Sequence, residues 1–197
     1  MINLDGLFVD GTLSDYLNRN LVDPWKGTKY EGYVFLLPTQ KGKFGEILIS
    51  KYMESKDCVI LKAHNKGHDR IIDGFKTELK FGLCTRDSYT GKLREDLFVI
   101  NHISMEKDWE RLIFFGINFD EKKSRFLWFN KKDLINYIRQ DGKQFLSQQG
   151  GKKIKNDDFM ICGNINALIK LDFVKGIDEW FTDTSEIKYN KITRWTD

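Results

Sequence analysis

The sequence predicts an α/β fold, a mixed central β-sheet flanked by α-helices, in a single domain over residues 1–197 with its core at about 42–140. Three observations carry that expectation. A helix-forming stretch near residues 41–55 leads into a cluster of short strands, an Asp73-Gly74 dipeptide joins two of those strands as a hairpin, and two apolar strands near 111–129 run into a segment of helical spacing.

In chain order, Tyr33–Leu37 is apolar and aromatic enough for a strand, which Pro38 would end. The helix that follows opens at Lys41-Gly42-Lys43 and runs through Ile47-Leu48-Ile49 to about Ser55. On its wheel Glu46 falls beside Ile49 and Met53, pointing inward. Cys58–Leu61 reads as a core strand. Gly67–Lys80 alternates polar and apolar residues on both sides of Asp73-Gly74, the signature of a β-hairpin. Asp96–Ser104 is an apolar run broken by the polar pair Asn101-His102, and Trp109 leads out of it. Arg111–Phe119 and Arg125–Phe129 are two further strands joined by a charged turn, while Lys132–Ile138 and Asn164–Lys170 have helical spacing. The tail from Phe173 carries Trp180, Phe181 and Trp195, which either cap the core or line a subunit interface.

Composition bounds what such a chain does. It has 197 residues, 41% of them hydrophobic, enough to bury one good core. No apolar stretch is long enough to span a bilayer, and Met1-Ile2-Asn3-Leu4-Asp5 lacks a secretion signal, so the expectation is a cytoplasmic protein with no membrane partner. Cys58, Cys84 and Cys162 are widely spaced and form no Cys-x-x-Cys pair, which argues for reduced thiols. His64 and His68 stand four apart, but the Gly67 between them and the strand that follows argue for a loop, where helical metal spacing loses its meaning. Net charge is +3, yet residues 121–160 hold ten Lys or Arg against five Asp or Glu. That concentration suits a polyanionic partner.

The most telling residues are Asp69, Glu78 and Lys80. Side chains two apart on a strand share a face, which places Glu78 beside Lys80 and turns Leu79 the other way. Asp69 then approaches Glu78 across the hairpin ladder. Two close carboxylates repel unless a cation compensates. Mg2+ suits the gap, because it takes one or two carboxylates, keeps several waters and accepts phosphate oxygens. Lys80 would orient or deprotonate an attacking water or stabilise charge on the phosphate, which is the equipment for metal-assisted phosphodiester hydrolysis. Asp73 competes for the role of first carboxylate, but it lies in the turn, where aspartate is favoured for its backbone angles.

Asp69, eight intervening residues and then Glu78-Leu79-Lys80 resembles the signature of the PD-(D/E)XK nuclease superfamily, and in particular type II restriction endonucleases. The resemblance implies a restriction-endonuclease-like core, with Asp69 and Glu78 as metal ligands, the Leu79 carbonyl as a further ligand and Lys80 as the catalytic lysine. His68 stands where the eponymous proline would be. Many nucleases of this superfamily place a glutamate on the helix before the core sheet, a role that falls here to Glu46, although a first-turn glutamate favoured by the helix dipole is the alternative. Asn101 and His102 resemble an element near the active site in several restriction enzymes, and the alternative is a plain packing segment.

With a nuclease in view, the stretch Gln148 to Asn156 becomes the DNA-contacting loop. Gly150 and Gly151 allow close approach to phosphates, Lys152, Lys153 and Lys155 supply charge, and Gln148, Gln149 and Asn156 are able to read base edges. The sequence thus leads to a site-specific, Mg2+-dependent endonuclease acting on double-stranded DNA, as a homodimer whose two centres serve the two strands. The alternatives are a repair, homing or exonuclease enzyme of the same superfamily, or a non-catalytic nucleic-acid-binding module.

Overall fold

A computed structural model describes residues 22–63, 67–84, 97–140, 146–148, 158–164 and 168–183. The chain divides into two compact units, Met1–Lys41 and Gly42–Asp197.

In the first unit, residues 22–36 form a series of turns gathered by one carboxylate. Asp23 accepts from the Trp25 amide at 2.8 Å and from the Gly32 amide at 2.6 Å. Gly32 has a φ of 84°, a left-handed conformation open to glycine at little cost, and it turns the chain into a 3-10 helix at Tyr33–Phe35. The strand expected over Tyr33–Leu37 is therefore not formed. The Phe35 and Leu36 amides bond back to Gly32 and Tyr33, so the backbone satisfies itself locally and no partner strand is recruited.

Helix α1 spans Pro38–Glu54. It begins three residues earlier than the sequence suggested, because Pro38 is pre-set for the first helical position and the Gln40 side chain accepts from the Leu37 amide at 2.9 Å. Its buried residues Gly45, Ile49 and Met53 recur every four positions and form the stripe that meets the sheet.

The second unit is built on a six-stranded sheet in the order β1-β2-β3-β5-β6-β9. These strands are β1 Ile60–Lys62, β2 Arg70–Ile72, β3 Phe75–Leu83, β5 Arg111–Ile117, β6 Arg125–Asn130 and β9 Lys175–Gly176. The sheet is mixed: β3 and β5 run parallel, pairing Glu78 with Leu112, and every other neighbour is antiparallel. All seven residues of β5 are buried, as befits an inner strand covered on both faces. By contrast β1 is a short edge strand with Leu61 exposed, as is Val59 just before it, which corrects the expected core strand at Cys58–Leu61. Only Cys58, just before it, is buried.

One face of the sheet carries Ile72, Leu79, Ile113, Phe115 and Trp128. It packs against Ile49 and Met53 of α1 and against Ile177 and Trp180 of a short C-terminal helix, α3, at Ile177–Asp183. Trp180 is fully buried with its ring edge-on to Trp128 at 5.3 Å, so this tryptophan caps the core, whereas Trp195 lies outside the described residues. The opposite face carries Glu78, Lys80, Phe114 and Phe129. Helix α2, Lys131–Gln140, lies on that side, its Tyr137 sharing Phe173 with Phe129. So does a second sheet of order β4-β8-β7, formed by β4 Leu97–Ser104, β7 Leu146–Gln148 and β8 Asp158–Asn164. Phe98 of β4 meets Phe114 edge-on at 5.5 Å. Asn164 closes β8, and residues 165–167 lie outside the described set, so the helix expected from Asn164 does not begin there. Among the described residues no helix is long and apolar enough to cross a membrane.

Candidate active site

The hairpin forms as its sequence demands. Asp73 and Gly74 both have positive φ, 49° and 85°, the backbone of a tight two-residue turn that matches strand twist, and Ile72 pairs with Phe75 across it. The register continues to Arg70 opposite Thr77, and the next position outward places Asp69 beside Glu78. The Asp69 amide donates to the Thr77 carbonyl at 3.1 Å, and the Asp69 carboxylate reaches over to accept from the Leu79 amide at 2.7 Å.

Glu78 points away from the α1 face and is buried, with 3% of its side chain exposed. Its Oε1 stands 2.9 Å from Lys80 Nζ and 3.7 Å from Lys107 Nζ, while Oε2 is buried with no hydrogen-bond partner among the described residues. Lys80 Nζ also donates to the His102 carbonyl at 3.3 Å. Burial above all, then the neighbouring Glu78 carboxylate, raises the Asp69 carboxyl above the usual carboxylate range; Glu46 adds to the rise, and the Leu79 amide and Lys80 oppose it. Carboxylates that push against one another in a partly dry site are what a divalent cation relieves. Among the described residues no three His, Cys, Asp or Glu side chains already form a metal cluster. A pair is nonetheless a fitting donor set for Mg2+, which keeps waters and takes phosphate oxygens in the remaining positions.

Glu46 sits in the middle of α1, well beyond its first turn, so the helix dipole does not account for it. Its Oε2 is 3.2 Å from Arg70 and 3.2 Å from Lys43, at the rim of the cluster and close enough to act on Asp69. Asp73 has a different job. Its two carboxylate oxygens accept from the Val59 amide and from Trp180 Nε1, each at 2.9 Å, tying the turn to the edge strand and to α3. Leu79 contributes its backbone to the cluster and its side chain to the core.

Sequence reasoning did not find Arg70 and Lys107. Arg70 adjoins Asp69 in the chain and was in plain sight; Lys107 reaches Glu78 only because the turn between β4 and β5 folds over the end of β3, and no local pattern records that. His102 enters differently from the expectation: it is an exposed residue, and it offers its carbonyl from a left-handed conformation, φ 58°, in a β-bulge between Ile100 and Ile103. Asn101 beside it is exposed. His68 is buried, and neither ring nitrogen has a partner among the described residues; Gly67–Asp69 is not helical, and His64 lies outside the described residues. Of the expected DNA-contacting loop, Gln148 instead ends strand β7, paired with Phe159, because 146–148 is recruited to the second sheet. Gln149, Gly150, Gly151, Lys152, Lys153, Lys155 and Asn156 lie outside the described residues. No protein-family model matches this chain, and no curated protein matches it.

Proposed function

We propose that the chain is a Mg2+-dependent nuclease of the PD-(D/E)XK type with a restriction-endonuclease-like core, hydrolysing phosphodiester bonds of double-stranded DNA as a site-specific endonuclease. The observation that carries the reading is the convergence of Asp69, Glu78 and Lys80 at one place on the sheet, with a buried Glu78 oxygen that has no hydrogen-bond partner among the described residues.

Asp69 and Glu78 would hold Mg2+, with the Leu79 carbonyl as a further oxygen. When bound, the ion neutralises charge on the scissile phosphate and acidifies a coordinated water. Glu78 and the His102 carbonyl together fix the Lys80 ammonium, so its remaining donor direction orients the water for attack on phosphorus. The water oxygen bonds to phosphorus, the ester P–O bond breaks, and a phosphate monoester and a free hydroxyl result. Lys107, half-exposed beside Glu78, faces the polyanion. Cleaving both strands of a palindromic site favours a homodimer, and a cytoplasmic location suits such an enzyme.

Plasmid DNA incubated with the protein and Mg2+, with and without chelator and alongside Lys80→Ala, tests this. Discrete fragments that vanish in chelator and in the variant are expected. Binding without cleavage in every divalent metal would sink the reading and point to a non-catalytic DNA-binding module, and progressive loss of ends would point to an exonuclease.

A further inference from the structure

Two ammonium groups stand on one oxygen of Glu78. Lys107 Nζ lies 3.7 Å from Oε1, the oxygen that Lys80 Nζ meets at 2.9 Å, while Oε2 is buried with no hydrogen-bond partner among the described residues. The carboxylate that would share a divalent ion with Asp69 is thus covered, in the metal-free protein, by two single positive charges.

The two lysines are held in different ways. Lys80 lies on the same strand as Glu78, its side chain is mostly buried, and its ammonium has a second acceptor in the His102 carbonyl. Lys107 comes from the turn between β4 and β5, and its side chain is 41% exposed. Only its backbone is fixed. The Lys107 carbonyl accepts from the Trp109 amide at 3.1 Å and from Lys131 Nζ at 2.5 Å, and Lys131 lies over the Trp109 ring, 5.3 Å from its centroid. Trp109 is itself buried and donates its indole N–H to the Ser104 carbonyl at 2.7 Å. An anchored main chain therefore carries a four-carbon stem whose charged head is free to turn toward solvent.

A divalent ion coordinated by Glu78, at about 2.0–2.1 Å for Mg2+, would stand next to the Lys107 ammonium and repel it. Lys107 is the cation able to leave, since Lys80 is kept by its second acceptor. Off Glu78, its charge is available to a phosphate at the edge of the site. The reverse also holds: a phosphate that draws Lys107 outward leaves Glu78 short of one positive charge and more attractive to metal. Two ligands that each remove the same obstacle to the other are coupled, and the coupling is reciprocal.

We propose that Lys107 is an exchangeable stand-in for the metal charge, which covers Glu78 in the metal-free protein and passes to a DNA phosphate when Mg2+ binds, so that metal and DNA strengthen each other's binding. The proposal rests on the nuclease reading of the same site and adds to it a link between its two ligands.

Two titrations decide it, neither of which reads cleavage. Mg2+ is titrated into the intact protein by calorimetry without DNA, for wild type, Lys107→Met and Lys107→Arg. A labelled duplex is then titrated at several salt concentrations, with Mg2+ and with chelator, in a non-cleaving Lys80→Ala background with and without Lys107→Met. Lys107→Met is expected to bind Mg2+ about five- to tenfold more tightly than wild type, and Lys107→Arg, which keeps the charge, within about twofold of it. With Mg2+ present, Lys107→Met should weaken duplex binding about tenfold and lower its salt slope by about one; in chelator the two slopes should coincide. Circular dichroism confirms that the variants fold. Equal weakening of duplex binding with Mg2+ and in chelator would make Lys107 a plain phosphate contact and overturn the exchange. Metal-dependent cleavage by the wild type, with Mg2+ affinity unmoved in Lys107→Met, would likewise overturn the exchange and leave the nuclease reading standing. Tighter Mg2+ binding by Lys107→Met, together with the Mg2+-dependent difference in slope but no cleavage by the wild type in any divalent metal, would keep the exchange and overturn the nuclease reading.

Discussion

Glu78 sets one carboxylate oxygen 2.9 Å from Lys80 and keeps the other buried without a hydrogen-bond partner among the described residues. Such an arrangement commits both side chains to one unit. Removing either Glu78 (to Gln) or Lys80 (to Ala) is expected to cost at least about 100- to 1,000-fold in cleavage rate. Because the two act together, the double variant should lose little more than either single one. Initial rates of plasmid cleavage, with circular dichroism to confirm folding, check this; full additivity would separate their roles.

Asp69 sets the pH dependence. Its carboxyl is raised by burial and by Glu78, so its ionised form is disfavoured in the fold. A group whose folded pKa lies above its unfolded one favours folding when protonated, and that contribution is lost as pH rises through the folded value. Without metal, Asp69→Asn should therefore unfold at a higher temperature than the wild type near pH 7, since asparagine keeps an oxygen for the Leu79 amide and removes the repulsion. The gap should close as the pH falls below the Asp69 value. Mg2+ should raise the unfolding temperature of the wild type and leave that of Asp69→Asn unmoved. Thermal melts across pH, with and without metal, give all three comparisons.

Asp73→Asn separates a structural carboxylate from the one proposed to hold metal. An asparagine has one acceptor oxygen where Asp73 satisfies both the Val59 amide and Trp180 Nε1, so one buried donor is left facing an amide nitrogen. The expected cost is about 1–3 kcal/mol of stability. Cleavage measured well below the unfolding temperature should stay within a few-fold of wild type, whereas Asp69→Asn should abolish it.

Glu46→Gln measures how closely α1 is coupled to the chemistry. Glu46 pairs with Arg70 and acts on Asp69 from the rim, without touching Glu78. Its replacement is expected to slow cleavage by about tenfold, well short of the loss for Glu78→Gln. A loss as large as that of Glu78→Gln in the same plasmid assay would place Glu46 among the metal-holding groups.

What was legible in the sequence was local or periodic. The Asp73-Gly74 turn fixes the register of β2 on β3, and that register alone brings Asp69 to Glu78, three positions beyond the turn pair. The continuous apolar run of β5 announces an inner strand. What was not legible depends on distant pairing. Val99 of β4 lies opposite Cys162 of β8, more than sixty residues on, and nothing in either segment names the other. The same partner recruits Gln148 into β7 and out of the loop it was expected to occupy. Tyr33–Phe35 misled in the opposite way, since aromatic strand propensity yields wherever no sheet edge is at hand and Gly32 offers a turn. Lys107 had no signal, because its position is set by how the turn after β4 lies over β3.

Helix α1 carries two glycines for which alanine should have opposite effects. A Cβ on Gly42 would meet nothing within 4 Å, so Gly42→Ala should gain about 0.5–1 kcal/mol from helix propensity and a less disordered unfolded chain. A Cβ on Gly45 would overlap the Phe81 Cβ and stand 3.0 Å from its Cγ. Phe81 cannot retreat freely, since Phe44 packs edge-on against it at 5.4 Å. Overpacking at such a contact costs about 1–3 kcal/mol, which outweighs the same propensity gain. Gly45→Ala should therefore destabilise the fold, and by pushing α1 off β3 it should also displace Glu46 and Arg70 at the rim of the cluster. Chemical denaturation of the two variants against wild type gives the signs directly; a stabilised Gly45→Ala would mean that α1 does not lie on the strand bearing Glu78 and Lys80 at the closeness described.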